Sequence, residues 1–344
     1  MSGLDGEVDG RLDGRVDGRA DSRMGGGVDG RAPAPILRTV GLGLAYRSRW
    51  ALRGCDLEVP GGRVVALVGP NGAGKTTLLH LAAGLMRPTE GSVEVLGGDP
   101  AHDVHLIGRI GLVAQDVPLY RSFTVADTLR FGRHLNPRWD DGPVLERLDE
   151  LAIPLDQKVG SLSGGQRAQV ALAVALAKRP ELLLLDEPLA SLDPLARRSL
   201  LQTLMRAAAD GGTTIVLSSH LLAELERVCD HLVVVDRGRL LLAGDIDELL
   251  EGHAVAIGPS GSGSPAGVDA VLDEADDGRV TTMTVRLGGD AGRTVIDPRW
   301  LVQPIGLEEL VLAYLGSRVD DRWPGDGPGR APDLAVGERI GGRR

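Results

Sequence analysis

The run Gly69-Pro70-Asn71-Gly72-Ala73-Gly74-Lys75-Thr76-Thr77 is the segment of this 344-residue chain whose spacing best fits chemistry. It matches Gly-x4-Gly-Lys-[Ser/Thr], follows an apolar run at 64–68 and precedes a stretch with helical spacing. Glycines let successive backbone N–H groups turn inward around phosphate oxygens. The start of the following helix adds a favourable dipole, and Lys75 can reach the β- and γ-phosphates. Thr76 supplies a hydroxyl suited to Mg²⁺. A second apolar run at 182–185 ends on Asp186-Glu187-Pro188. A buried strand there delivers two carboxylates, Asp186 for the Mg²⁺ shell and Glu187 as general base towards an attacking water. Alone, the acid pair also reads as solvated residues at a strand end; the phosphate loop upstream favours the catalytic reading.

These residues need a scaffold that brings strand ends together. From residue 36 to about 252, short aliphatic runs alternate with helical stretches, which predicts an α/β domain with a largely parallel sheet. The runs 64–68, 182–185, 214–217 and 232–235 are apolar on both faces, as buried parallel strands are, and ligands sit at the ends of such strands. Segments 74–84, 166–178 and 195–209 carry helical spacing with few breakers.

Leu162-Ser163-Gly164-Gly165-Gln166, directly ahead of a predicted helix, resembles the signature of the ATP-binding cassette (ABC) ATPases. The other elements of that family then fall in order: Tyr46 as the A-loop aromatic, residues 69–77, Gln115 in the Q-loop, the signature, Asp186 and Glu187, Ala190-Ser191-Leu192-Asp193 in the D-loop, and His220 in the H-loop. The resemblance covers about residues 36–250. It implies a P-loop NTPase fold of ABC type: a parallel-sheet RecA-like core, an antiparallel β subdomain and a helical signature subdomain. It further implies ATP and Mg²⁺ as cofactors, with Tyr46 stacked on adenine and Gln115 in contact with Mg²⁺ or the lytic water. His220 then contacts the γ-phosphate and orients the water beside Glu187. Ser163, Gly164, Gly165 and Gln166 serve the nucleotide of an opposite subunit, so a second ATPase subunit is implied, as a homodimer or a heterodimer. Tyr46 also reads as a core tyrosine, and Gln115 as a surface glutamine. The D-loop departs from the usual Ser-Gly-Leu-Asp in its first two residues, Ala190 and Ser191, while Asp193 is kept.

Composition narrows the setting. Hydrophobic residues make up 42% and charged residues 25%, enough for a real core. The longest uninterrupted apolar stretch, 170–177, is far short of the roughly 20 residues of a membrane helix. Asp5, Glu7, Asp9 and Asp13 occupy the place of a secretory apolar segment. A net charge of −10 without a basic stripe argues against nucleic acid as a partner. Cys55 and Cys229 lack CxxC spacing and read as ordinary thiols.

Residues 1–33 carry a repeat of Leu or Val, Asp, Gly and Arg and are expected to be a disordered tail, or sequence upstream of a start at Met24. Residues 34–252 form the expected ATPase domain. The Gly- and Ser-rich stretch 258–267 reads as a linker or a long loop and marks an expected boundary, ahead of the strand at 280–287 and the helix at 306–315 of a small α+β accessory region at 253–316. Residues 317–344 are expected to be a disordered tail.

Segments 114–131, 135–140 and 304–316 look similar to ATPase subunits of ABC-2 type exporters of drugs and antibiotics. The resemblance implies an ATP-hydrolysing subunit that energises an integral-membrane permease subunit, placed on the cytoplasmic face of the membrane through that permease. Tyr120 and Phe123 lie where transporters receive the permease, and they also read as core residues. The alternative is a soluble ABC ATPase that remodels a protein or nucleoprotein complex; the lack of a second cassette and of long coiled coils weighs against it.

Overall fold

The computed structural model describes residues 34–190, 192–220, 222–288 and 297–317. The expectations for 1–33 and 318–344 lie outside the described residues. The chain begins with β1 (Leu37–Tyr46), β2 (Arg49–Val59), β3 (Val64–Val68), α1 (Lys75–Ala82), β4 (Glu90–Val95), α2 (Val104–Ile107) and β5 (Ile110–Val113). A helical stretch follows, with α3 (Val125–Leu135), α4 (Asp141–Glu150) and α5 (Gly164–Ala177). The chain returns to strand-rich structure through β6 (Leu182–Asp186), α6 (Pro194–Gly211), β7 (Thr214–Ser219), α7 (Leu222–Leu225), β8 (His231–Asp236), β9 (Arg239–Asp245) and α8 (Ile246–Glu251). Last come β10 (His253–Pro259), β11 (Val268–Asp276), β12 (Val280–Leu287), β13 (Leu301–Pro304) and α9 (Leu307–Gly316).

A six-stranded sheet in the order β5-β6-β7-β3-β8-β9 is the centre of the fold, parallel except for β9. Strands β3, β6 and β7 are buried at every position, which is why apolar runs mark most of each strand, with polar residues of β6 and β7 at their ends. Parallel pairing puts the ends of these three strands on one edge of the sheet. Asp186 is in register with Ser218, and Val68 with Ser219, so the three chain exits are level. Strand β7 lies between β3 and β6, so the phosphate loop and the acid pair face each other across it.

An antiparallel sheet in the order β2-β1-β4 packs with α1: Leu42, Leu52 and Leu57 share one core with Leu78, Leu79, Val65 and Leu67. The helical stretch has its own core around Val125, Leu129, Val144, Leu148 and Val170. A reciprocal cap between Thr124 and Asp127 starts α3. Among the described residues no helix is long and apolar enough to cross a membrane.

The C-terminal strands form a second antiparallel sheet, β11-β12-β10-β13. Of the linker or long loop expected at 258–267, the first two residues are strand and the rest is a connecting loop. Gly258 and Pro259 finish β10, paired with Thr281 and Val280, and the rest of the stretch carries the chain past β12 to β11. Gly258 is there because Trp300 covers it: an added Cβ would lie 2.5 Å from the indole ring. Leu307 and Val311 of α9 join the cassette core beside Leu225 and Ile246, while Leu310 and Tyr314 pack with Val255 and Ile305. The described residues accordingly belong to one compact unit.

Candidate active site

The loop after β3 has the shape its glycines permit. A Cβ on Gly69 would come within 2.0 Å of the Val235 carbonyl oxygen. Gly74 has φ 113, and a Cβ there would lie 2.7 Å from the Ala51 carbonyl oxygen. The loop can thus fold tightly under β2 and turn into α1, whose first residue is Lys75. Lys75 is buried, and its Nζ donates to the carbonyls of Gly69 at 2.7 Å and Pro70 at 3.4 Å.

Across β7, β6 ends on Asp186, a buried carboxylate with both oxygens engaged. Oδ2 accepts from the Thr76 hydroxyl at 2.7 Å, and Oδ1 from the Ser218 hydroxyl at 2.7 Å. Such donors offset the cost of holding a charge away from water. Glu187 then adopts φ 48, a left-handed backbone that costs a side-chain-bearing residue on the order of 1 kcal/mol or more. Its N–H is held by Ser218 Oγ at 2.9 Å. Its side chain is 10% exposed, with Oε2 2.9 Å from His220 Nδ1 and Oε1 3.4 Å from Lys75 Nζ. Oε1 is buried and has no hydrogen-bond partner, an acceptor available in the wall of the cleft.

The cleft between these elements measures about 430 Å³. Residues 70–77 form one wall, and Gln115, Asp186, Glu187 and His220 the others. Ala51 on β2 and Ala190 after β6 also line it, small side chains that leave room for a ligand. Gly69 lies beneath the loop as an acceptor for Lys75 rather than in the lining. The sequence reading missed Ser218. The apolar run at 214–217 stops two residues short of the end of β7, although consecutive serines ahead of His220 were the available signal.

Other expected site residues lie apart from this cleft. Tyr46, at the end of β1, is half-exposed outside the lining, its hydroxyl 3.3 Å from Met86 Sδ. Ser163 and Gln166 cap the start of α5 reciprocally: Ser163 Oγ accepts from Gln166 N–H at 3.1 Å, and Gln166 Oε1 from Ser163 N–H at 3.0 Å. Gly164 and Gly165 form the first turn of that helix. Asp193 caps α6 by accepting from Ala196 N–H at 2.9 Å. Ser191 lies outside the described residues.

Thr76 and Asp186 place two hard oxygen donors side by side, a set suited to Mg²⁺. Among the described residues no group of three or more His, Cys, Asp or Glu could hold a metal ion. A cation here would draw its remaining ligands from phosphate oxygens and water, as Mg²⁺ usually does.

A glycine loop between a buried strand and a helix, facing two consecutive acids at the end of a nearby parallel strand, defines a P-loop nucleotide-binding fold. Residues 52–190 match the family model described as ABC transporter. The chain is 33% identical over 297 residues to the Nod factor export ATP-binding protein I of Burkholderia orbicola, covering 80% of this chain and 95% of that one. It is 38% identical over 216 residues to the sulfate/thiosulfate import ATP-binding protein CysA of Methylococcus capsulatus, covering 60% of this chain and 62% of that one. The match therefore spans under two thirds of the importer protein's length. A solved structure of the ATP-binding subunit of an ABC transporter is 30% identical with a TM-score of 0.57, over 62% of this chain and 91% of that one. The chain belongs to the ABC transporter ATP-binding protein family.

Proposed function

We propose that this chain hydrolyses ATP to ADP and phosphate as one of two ATPase subunits that drive a separate integral-membrane permease of an ABC exporter for drugs, antibiotics or other small molecules. The observation that carries the reading is the convergence of Lys75, Thr76, Asp186, Glu187 and His220 on one cleft. The loop amides and Lys75 bind the phosphates. Thr76 and Asp186 would hold Mg²⁺, whose charge would offset that on the phosphate oxygens. Glu187 takes a proton from water as the water oxygen bonds to the γ-phosphorus and the bond to the β-phosphate oxygen breaks. His220, hydrogen-bonded to Glu187, orients that water, and Gln115 in the lining contacts the metal or the water. Tyr46 stacks on the adenine.

Ser163, Gly164, Gly165, Gln166 and Asp193 lie outside their own cleft, which suits a head-to-tail pair in which they meet the other subunit's nucleotide. A permease surface is supported by an aromatic cluster. Tyr120, Phe123 and Phe131 meet with ring centroids 5.0, 5.8 and 6.2 Å apart, and Tyr120 and Phe131 are 59% and 44% exposed. The chain has two phenylalanines, and both are in this cluster. Docking there would place the ATPase on the inner face of the membrane. Export is favoured over import because the relative matched across 95% of its own length is an export protein, whereas the sulfate importer subunit is matched across 62%.

The test is an ATP-trapped pull-down of tagged Glu187→Gln protein from detergent-solubilised native membranes, with partners identified by mass spectrometry. A stoichiometric polytopic protein is expected, and its cargo can then be assayed. Recovery only with a soluble partner, or with none, would overturn the transport reading.

A further inference from the structure

We propose that Ser218 is a positioning residue for hydrolysis, a single hydroxyl that sets the orientation of both carboxylates. The proposal rests on the ATPase reading above. Strand β7 separates the phosphate loop from the acid pair, and Ser218 stands near its end, fully buried and in register with Asp186. A buried hydroxyl is costly unless its proton and a lone pair are both used. Both are used here, and both on the acid pair: the proton goes to Asp186 Oδ1 at 2.7 Å, and the oxygen accepts the Glu187 N–H at 2.9 Å.

Each bond has a separate consequence. Fixing Oδ1 of Asp186 turns Oδ2 towards Thr76, so the pair of oxygens suited to the cation is aligned before nucleotide arrives. Holding the Glu187 N–H keeps that residue at φ 48, the backbone turn that sends its side chain to His220 and Lys75 instead of along the strand direction. Without the hydroxyl, Asp186 loses one of its two hydrogen-bond donors and Glu187 loses the partner that offsets its strained backbone. Ser218 itself is absent from the cleft wall, so it acts through its neighbours.

Thr and Val have nearly the same shape and differ in the hydroxyl, so Ser218→Thr and Ser218→Val impose the same packing change and isolate the hydrogen bonds. Thermal unfolding establishes that both variants fold. Three quantities are then compared: kcat for ATP hydrolysis, affinity for a fluorescent ATP analogue without Mg²⁺, and hydrogen exchange of the Glu187 amide in nucleotide-free protein. The Val variant is expected to lose about 10- to 100-fold in kcat relative to Thr, with analogue affinity changed by about twofold or less. The Glu187 amide should exchange faster in the Val variant only. Equal kcat in the two variants, or equal exchange at Glu187, would overturn the assignment. A wild-type chain with no ATPase activity would instead overturn the catalytic reading, and the exchange comparison would still decide whether Ser218 anchors Glu187.

Discussion

Glu187 has two oxygens with different neighbours, His220 at 2.9 Å and Lys75 at 3.4 Å, and that asymmetry governs its substitution. Gln preserves the shape and can still accept from His220, but an amide takes no proton from water. Glu187→Gln is expected to bind nucleotide normally and to lose at least about 100-fold in turnover, measured as phosphate release beside equilibrium binding. A variant that turns over at the wild-type rate would exclude Glu187 as the base. At this scale the sequence was informative wherever the chemistry is contiguous. The loop 69–77 and the pair Asp186-Glu187 depend on neighbours along the chain, so type and spacing were enough to single them out, and the structure brings them to one cleft. Ser218 acts across a strand pairing, and nothing in its own segment states that its partner is 32 residues away.

Two side chains join elements that the sequence shows only separately. Arg147 of α4 donates to Gln169 of α5 at 3.1 Å and to Ser199 of α6 at 2.8 Å, and it pairs with Glu150 at 2.9 Å. It ties the helical stretch to the helix that packs on the central sheet. Arg147→Met should keep most of the stem packing, leave Gln169 Oε1 buried without this donor and lower stability by about 2 kcal/mol, read from urea unfolding. The second side chain is His253 at the start of β10. Its Nδ1 lies 2.6 Å from the Leu249 carbonyl, which can only accept, so Nδ1 carries the proton and Nε2 accepts from the Tyr314 hydroxyl at 3.0 Å.

Burial holds the His253 pKa below the ordinary histidine value, and the nearby Arg286 pushes the same way against the Leu249 hydrogen bond. A depressed folded-state pKa means that the unfolded chain binds the proton first. The stabilisation is therefore complete above about pH 6.5 and is lost as pH falls towards the folded value. The protection of α9 amides, taken relative to their intrinsic exchange rate at each pH, should fall as pH drops below about 6.5 in the wild type, and much less in His253→Gln. Strands β3 and β12 were legible to the residue because burial leaves its mark on composition. Strand β11 was not, since most of its side chains face solvent and its apolar alternation is confined to Val268, Ala270 and Leu272 and is interrupted by Val271. The glycines at 258–267 suggested a linker because a position emptied for Trp300 and a loop position look alike in a sequence.

At the scale of the whole molecule, the C-terminal sheet is joined to the cassette by α9. Leu307, Leu310 and Val311 are buried, each worth about 2 kcal/mol, so their loss approaches the 5–15 kcal/mol that holds an ordinary domain together. A chain stopped after Gly252 is expected to melt at a clearly lower temperature or to aggregate, with Leu225 and Ile246 uncovered, rather than to behave as a cassette relieved of an independent module. Scanning calorimetry of the two lengths decides this. Strands β3 and β6 each bond to β7 and not to each other, although the loop and acids they carry form one cleft. During synthesis the last strand of that trio to leave the ribosome is the middle one. A nascent chain halted before residue 214 therefore holds the loop 69–77 and the acid pair without the strand that sets them side by side, and the cleft is expected to form only once β7 has paired with both β3 and β6.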